Sequence, residues 1–378
     1  MRGCEGVVVP SSSGPYAIAY AAVIPVFAGD LSPEALALDP GWPNQRTFLP
    51  PGMSTPARAH DFVHDCVVIG GGLSGLVAAL SLQRSGARVA VLEADTRVGG
   101  RTVSLPLACC PSARVDHGGQ WLGARQDAAL ALAKSFDLRL HPQYAEGRRL
   151  IQVGAQVRSY TGLIPPLSWA SIIDTQVILW LTQLLGLLML VLPLPASLRA
   201  WLLRWADGIT VEELAQRRMW TGGGRALLRI VVQALFGAEP HEVSLLAFLR
   251  YVRASGGSLE EMTDMGEGSL QAWTIVGGAA QLSERAAAAF VAAGGLLVTE
   301  RAVVALSLVG SPPGGGEPRV EVRCADGSAL AATHAILALP PPAAARLSFT
   351  PALPAPRAGL LAEAAMGCII KVRAACVG

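Results

Sequence analysis

Between residues 65 and 92, apolar and polar positions fall into three units. Cys66-Val67-Val68-Ile69 is a continuous apolar run of buried-strand length. Gly70-Gly71-Gly72-Leu73-Ser74-Gly75 follows at once, and Leu76 to Arg84 then reads as a helix of good formers that stops at Ser85-Gly86. Arg88-Val89-Ala90-Val91-Leu92 is a second strand. Strand, glycine turn, helix and strand in that order make a βαβ unit, which predicts a parallel sheet.

Further along, Leu150-Ile151-Gln152-Val153, Gly154-Ala155 and Gln156-Val157-Arg158 predict a hairpin with a two-residue turn. Arg319 to Leu339 reads the same way, with Val320 and Val322 alternating with charges, a turn at Asp326-Gly327 and an apolar run at Ala335-Ile336-Leu337. The periodicity between the hairpins predicts helices over Ile172–Leu192, Val211–Arg217, Arg225–Phe236, Glu242–Ala254 and Gln281–Ala293.

Val177 to Leu192 is the most apolar stretch, broken only by Thr182, Gln183 and Gly186. A membrane span needs about twenty residues. Asp174 precedes this run and Pro193 and Pro195 follow it, so the pattern predicts a buried or interfacial helix, with weak membrane contact through 177–192 as the companion reading. Before residue 62 no period survives the spacing of Pro25, Pro33, Pro40, Pro43, Pro50, Pro51 and Pro56. Arg2 and the apolar run Ala17–Ala28 resemble a weak signal sequence, but Pro25 interrupts the run, and Asp30, Glu34 and Asp39 argue against a transit peptide. Residues 1–61 are expected to form a poorly ordered, Pro/Gly-rich extension.

Composition changes this picture in two ways. Charged residues are 15% of the chain and the net charge is only +2, with no basic cluster, which excludes a bulk electrostatic binder of nucleic acid. Seven cysteines without a CxxC argue against a disulfide framework and a zinc site. His60 and His64 are four apart but precede a strand, so no metal is expected. An intracellular compartment is favoured.

The glycine turn carries the chemistry. Gly70, Gly72 and Gly75 match G-x-G-x-x-G, and each has a job at a dinucleotide. Gly70 permits the tight turn, Gly72 admits a pyrophosphate to the backbone, and Gly75 lets the helix pack closely. The helix N-terminus offers N–H groups and partial positive charge to phosphates. Glu93 ends the second strand, where a carboxylate accepts from ribose hydroxyls and repels a 2′-phosphate. Arg97-Val98-Gly99-Gly100-Arg101-Thr102 places two glycines between arginines, which suits backbone crowded against a ligand and a guanidinium beside phosphate. Val115-Asp116-His117-Gly118-Gly119-Gln120-Trp121 supplies another crowded glycine pair.

Residues 67–75, 91–94 and 97–102 resemble the N-terminal FAD fingerprint of the flavin-containing amine oxidases, and 115–121 resembles that family's next flavin-contacting segment. Glu239–Ser244, Phe248–Tyr251, Val276–Arg285 and Met366–Lys371 are similar to its monoamine oxidase branch. The resemblance implies an α/β fold: a Rossmann-like FAD-binding domain of the GR2 flavoprotein type with an interleaved α+β substrate domain. The cofactor domain is expected in 62–145 and 276–345, and the substrate domain in 146–275 and from 346 onward. Ser74 and the glycine turn would meet the pyrophosphate, and Glu93, with Ala94 after it, the adenosine ribose. Arg101 would pair with phosphate, Gly118, Gly119, Gln120 and Trp121 would pass the isoalloxazine and ribityl chain, and the Val303 backbone would touch the adenine.

The implied activity is FAD-dependent oxidation of a primary or secondary amine to an imine, with O2 reduced to H2O2. Two alternatives stay open: a same-fold oxidoreductase acting on amino acids, polyamines or carotenoid precursors, and a truncated, non-catalytic relative. The sequence departs from the pattern at Asp95, where family members often carry Arg; Arg97 is a candidate to compensate. The family continues beyond residue 378, so the chain is expected to be C-terminally incomplete, and the family's flavin-site lysine is expected near Val377, which is not a lysine. No catalytic residue is assigned. A structural role is favoured for His117, and capping for Glu239 and Glu242. Trp169, Trp180, Trp201 and Trp205 are expected to pack in a core or interface.

Overall fold

The computed structural model describes residues 64–371, without 108–109, 145, 154–155, 163–164, 257–261, 263–265, 267, 311–318 and 370. The N-terminal extension and Val377 therefore lie outside the described residues. The βαβ unit forms as its pattern predicts: β1 is His64–Ile69, α1 Leu73–Arg84 and β2 Val89–Leu92, and the two strands are parallel. Helix α1 begins three residues earlier than Leu76, directly after Gly72, which puts its N-terminus inside the glycine turn.

Two parallel neighbours complete the core of this sheet. Strand β10 (Leu296–Val298) pairs with β2, and β13 (Ala329–Leu337) pairs with β1. Strands β11 (Val303–Val309) and β12 (Arg319–Cys324) extend it as an antiparallel meander, closed by β14 (Ser348–Thr350) parallel to β11. The order is β10-β2-β1-β13-β12-β11-β14. Alternation along the strands divides two cores. Cys66, Val68, Val89 and Val91 face α1 and α8 (Gln281–Ala292), whose Phe290 is fully buried. Val67, Ile69, Ala90 and Leu92 pack with Leu306, Val322 and Leu330 of the meander.

Helices α3 (Trp169–Leu190), α4 (Ala196–Asp207), α5 (Val211–Arg218), α6 (Gly222–Phe236) and α7 (Leu245–Ala254) share a separate core around Ile178, Val232 and Phe248. Their starts follow from sequence. Ser168, Thr210, Thr221 and Ser244 each accept from a backbone N–H of the first turn, and Thr210 with Glu213 makes a capping box. Such a cap contributes about 1 kcal/mol. Helix α4 lies outside the sequence expectation, because Pro193 and Pro195 read as a breaker; Pro195 in fact serves as its N-cap. Asp174 joins α3 to the N-terminus of α6, accepting from Thr221 N at 2.8 Å and Thr221 Oγ1 at 2.5 Å.

Smaller sheets link the two cores. Strands β3 (Ser104–Leu107) and β4 (Cys110–Asp116) form a hairpin. Strands β5 (Trp121–Leu122) and β6 (Leu140–Pro142) flank β9 (Trp273–Ile275), with α2 (Asp127–Ser135) between them in sequence. Strands β7 (Arg149–Val153) and β8 (Gln156–Tyr160) make the hairpin expected there; its turn at 154–155 lies outside the described residues. After β14 the chain passes through α10 (Ala355–Glu363), the short α9 (Pro341–Ala344) having preceded β14, and Cys368 N then donates to the carbonyl of Gly237 at the end of α6.

Candidate functional site

The glycine turn lies at the carboxyl end of β1, where ligands bind in open parallel sheets. Gly70 has φ +108, and a side chain there would press on the Ala338 carbonyl. A side chain at Gly75 would overlap the Gly70 carbonyl, so this glycine sets how closely α1 approaches the strand. Gly72 is different. Its φ is −73 and a Cβ would meet nothing within 4 Å. No side chain caps α1 there. A bare helix N-terminus carries about half a positive charge and unsatisfied N–H groups. Open space in front of it, with exposed Ser74 in the first turn, fits an anionic group such as a pyrophosphate.

Glu93 closes the other side. Its Oε2 accepts from Gly71 N at 2.6 Å and its Oε1 from Asp95 N at 2.9 Å, so the half-buried carboxylate ties the glycine turn to the end of β2. The segment entering β11 runs alongside: Arg301 N donates to the Glu93 carbonyl at 2.8 Å and Glu300 N to that of Asp95 at 3.0 Å. Val303 begins β11 two residues later. The fold thus gathers Gly70, Gly72, Ser74, Gly75 and Glu93 at the carboxyl ends of β1 and β2, with Ala94 next in the chain and Val303 two residues beyond the Arg301 that bonds Glu93.

The second glycine loop closes over the first. Gly99 N donates to the Gly71 carbonyl at 2.9 Å. Arg97 spends its guanidinium within the loop, on the Gly100 carbonyl at 2.9 Å and on Asp95 at 3.4 Å. Arg101 is exposed. Its backbone carbonyl receives Gly119 N at 3.1 Å, and Gly118 packs so tightly on that carbonyl that a Cβ would overlap it.

A buried polar clamp, which sequence reading missed, holds this loop against α8. Ser104 Oγ donates to Asp116 Oδ1 at 2.5 Å, Ala279 N to the same oxygen at 2.8 Å, and Ala280 N to Ser104 Oγ at 3.0 Å. Arg114 adds a two-pronged ion pair with Glu284 at 2.6 and 3.0 Å, and hydrogen bonding to Glu284 raises its pKa further. The small residue Ser104 and the lone acid Asp116 carried no periodic or motif signal of this contact.

Gln120 and Trp121 face a residue from the far end of the chain. Lys371 Nζ donates to the Gly118 carbonyl at 2.5 Å and to Gln120 Oε1 at 2.9 Å, and lies 5.8 Å from the centre of the Trp121 ring. Trp121 Nε1 donates to Gln143 Oε1 at 3.0 Å, which fixes the indole. Lys371 thus stands beside 118–121, while position 377, where the family's lysine was expected, lies outside the described residues. This lysine ends Met366–Lys371, a segment whose likeness to the monoamine oxidase branch is legible in the sequence. His117 is exposed, its backbone N–H held by the Val103 carbonyl at 2.7 Å.

A family model for flavin containing amine oxidoreductases matches residues 73–376. The chain belongs to that family. As a family member it is 34% identical over 290 residues to a Mycobacterium tuberculosis (strain H37Rv) protein bearing the name flavin-containing monoamine oxidase AofH, covering 77% of this chain and 60% of that protein. It is similar to cyclohexylamine oxidase from Brevibacterium oxydans IH-35A, with a TM-score of 0.66 and 28% identity over 80% of this chain and 63% of the other. It shares the fold of putrescine oxidase bound to putrescine, with a TM-score of 0.68 and 24% identity over 80% and 63%. The chain spans 56–60% of the length of the curated relatives it matches. The expected α/β flavoprotein architecture is thereby shown, and the family's flavin is the group the glycine turn must fit.

Proposed function

We propose that this chain forms the FAD-holding part, and much of the substrate side, of an amine oxidase that converts a primary or secondary amine to an imine while O2 becomes H2O2. The observation that carries this reading is the uncapped N-terminus of α1 behind Gly72, with Glu93 bonded to Gly71 beside it. A pyrophosphate satisfies the helix end, and a ribose finds its acceptor at Glu93. Arg101, exposed on the second loop, supplies a further cation. Residues 62–145 and 276–345 act as the cofactor domain, and 146–275 with 346–378 as the substrate side.

When bound, the flavin supplies a two-electron acceptor that O2 regenerates. The chain's own residues do the rest. Gly118 and Gln120 hold the Lys371 ammonium in place, and we assign Lys371 the position of the family's flavin-site lysine. Trp121, locked by Gln143, walls the site. Membrane contact through 177–192 belongs to the same proposal.

A visible spectrum of the purified chain, followed by anaerobic addition of amines, tests the reading. Flavin bands that bleach with an amine support it. A colourless protein that takes up no added FAD overturns it.

A further inference from the structure

Helix α3 turns an apolar face outward as well as packing Ile178 and Met189 inward. Every exposed residue on it is apolar, and Trp169, Ile173, Val177, Trp180, Leu184 and Leu187 recur at spacings of three and four, which puts them on one face. The residues it buries include Ser171, Asp174, Thr182 and Gly186. A surface helix of a soluble domain has the opposite arrangement. Trp169 is 80% exposed and Trp180 63%, so of the expected core or interface packing these two do not take the core. The stripe continues on α4 through Leu198, Trp201 and Trp205.

Charge follows the same logic. From Arg158 through Arg204 the chain has three arginines and one acid, Asp174, which is 1% exposed and bonded to Thr221. The exposed positions of α3 therefore carry no negative charge, and on α4 the acid is Asp207 at its last residue, which accepts from Ser244 Oγ at 3.0 Å. Beside it runs a groove of 390 Å³ between α3 and α7, lined by the apolar Trp180, Leu184, Leu187, Leu249 and Val252 and by the polar Thr182, Gln183 and Arg253.

A protein partner normally meets a polar rim and makes about one hydrogen bond per 100–200 Å². The exposed positions of α3 offer no side-chain polar group apart from the indole N–H groups of Trp169 and Trp180, and lipid chains require none. Tryptophan favours the boundary between headgroups and chains. Although α3 is long and apolar enough to cross a bilayer, its other face packs into the helical core through Ile178 and Met189. It cannot span alone.

We infer that the α3–α4 face lies in the plane of an anionic bilayer, with the apolar stripe among the upper acyl chains and Arg204 and Arg253 at the phosphates. The inference rests on the proposed membrane contact and adds its orientation, its second helix and the lipid charge.

The test is flotation of the full chain with phosphatidylcholine vesicles, with and without 30% phosphatidylglycerol (on the order of the anionic content of natural surfaces). We expect at least roughly 10-fold tighter binding to the anionic vesicles, tryptophan quenching by brominated acyl chains, and release by alkaline carbonate. Trp180→Glu with Leu184→Glu should abolish binding, and Arg204→Glu with Arg253→Glu should weaken it roughly 10-fold. Leu360→Glu, exposed on α10, is the control and should bind as the wild type. Binding to neither vesicle overturns both the membrane contact and this inference. Binding that ignores lipid charge and the α3 substitutions overturns only the inference, as does resistance to carbonate. A dimer that ignores vesicles and dissociates with Trp180→Glu assigns the face to a second copy and also overturns it.

Discussion

Lys371 Nζ lies 2.9 Å from Gln120 Oε1, across 251 residues of chain. The contact joins the last described residue to the loop that follows β4, three residues after Cys368, whose backbone N–H donates to the Gly237 carbonyl at the end of α6. If Lys371 serves the flavin site, Lys371→Met should leave the flavin bound and slow amine-dependent flavin reduction or reoxidation on the order of 10²-fold. Stopped-flow absorbance separates the two half-reactions. Unchanged rates in both would remove Lys371 from the mechanism.

The glycines of the turn should divide by what they touch. Gly72→Ala meets nothing in the protein, so the apo-protein should melt within a few degrees of wild type while FAD affinity falls at least roughly 10-fold. Gly75→Ala strikes the Gly70 carbonyl and should cost about 1–3 kcal/mol of stability before any ligand is added. Calorimetry of the apo-proteins with FAD titration distinguishes them; equal melting losses in both variants would count against the open-cradle reading.

Asp116 is 8% exposed and accepts from both Ser104 and Ala279. Asp116→Ala leaves these donors unpaired in the interior, and the expected loss is about 3 kcal/mol. Because Gly118 follows two residues later, FAD affinity should fall as well. Urea unfolding monitored by circular dichroism gives the first quantity and flavin fluorescence the second. A loss below about 1 kcal/mol would mean the clamp is replaced by water.

Arg88 donates to Asp65 from its backbone at 2.7 Å and from its guanidinium at 2.8 and 3.2 Å, which holds the Asp65 carboxyl down to about 2 from its usual 3.8. A carboxylate lowered by folding stabilises above its unfolded pKa and loses that contribution as pH falls through the folded one. The wild type should therefore exceed Asp65→Asn in melting temperature by a small constant margin above pH 5, and the margin should close towards pH 2. Both partners are exposed, so salt should shrink it too. A margin independent of pH would contradict the ion-pair origin.

Much of the geometry of the proposed cofactor site was legible because it is local. Gly70, Gly72, Gly75 and Glu93 sit within one βαβ unit, where turn geometry and strand ends place the groups without help from distant chain. The long-range parts were not. Ser104 and Asp116 reach α8 over more than 160 residues, and Lys371 reaches Gln120 over 251. Helix α4 hid behind two prolines that start it instead of ending its predecessor's run.

The apolar stretch after Asp174 shows the same division. Its composition alone determined that a long helix would form and that it would seek an apolar environment. Periodicity further fixed which residues share a face. Only the packing of α6 and α7 decided which face turns inward, because Thr221 and its backbone N–H give Asp174 the hydrogen bonds that a buried carboxylate requires. With that face committed to the protein, Trp169, Trp180 and Leu184 had no direction left but outward.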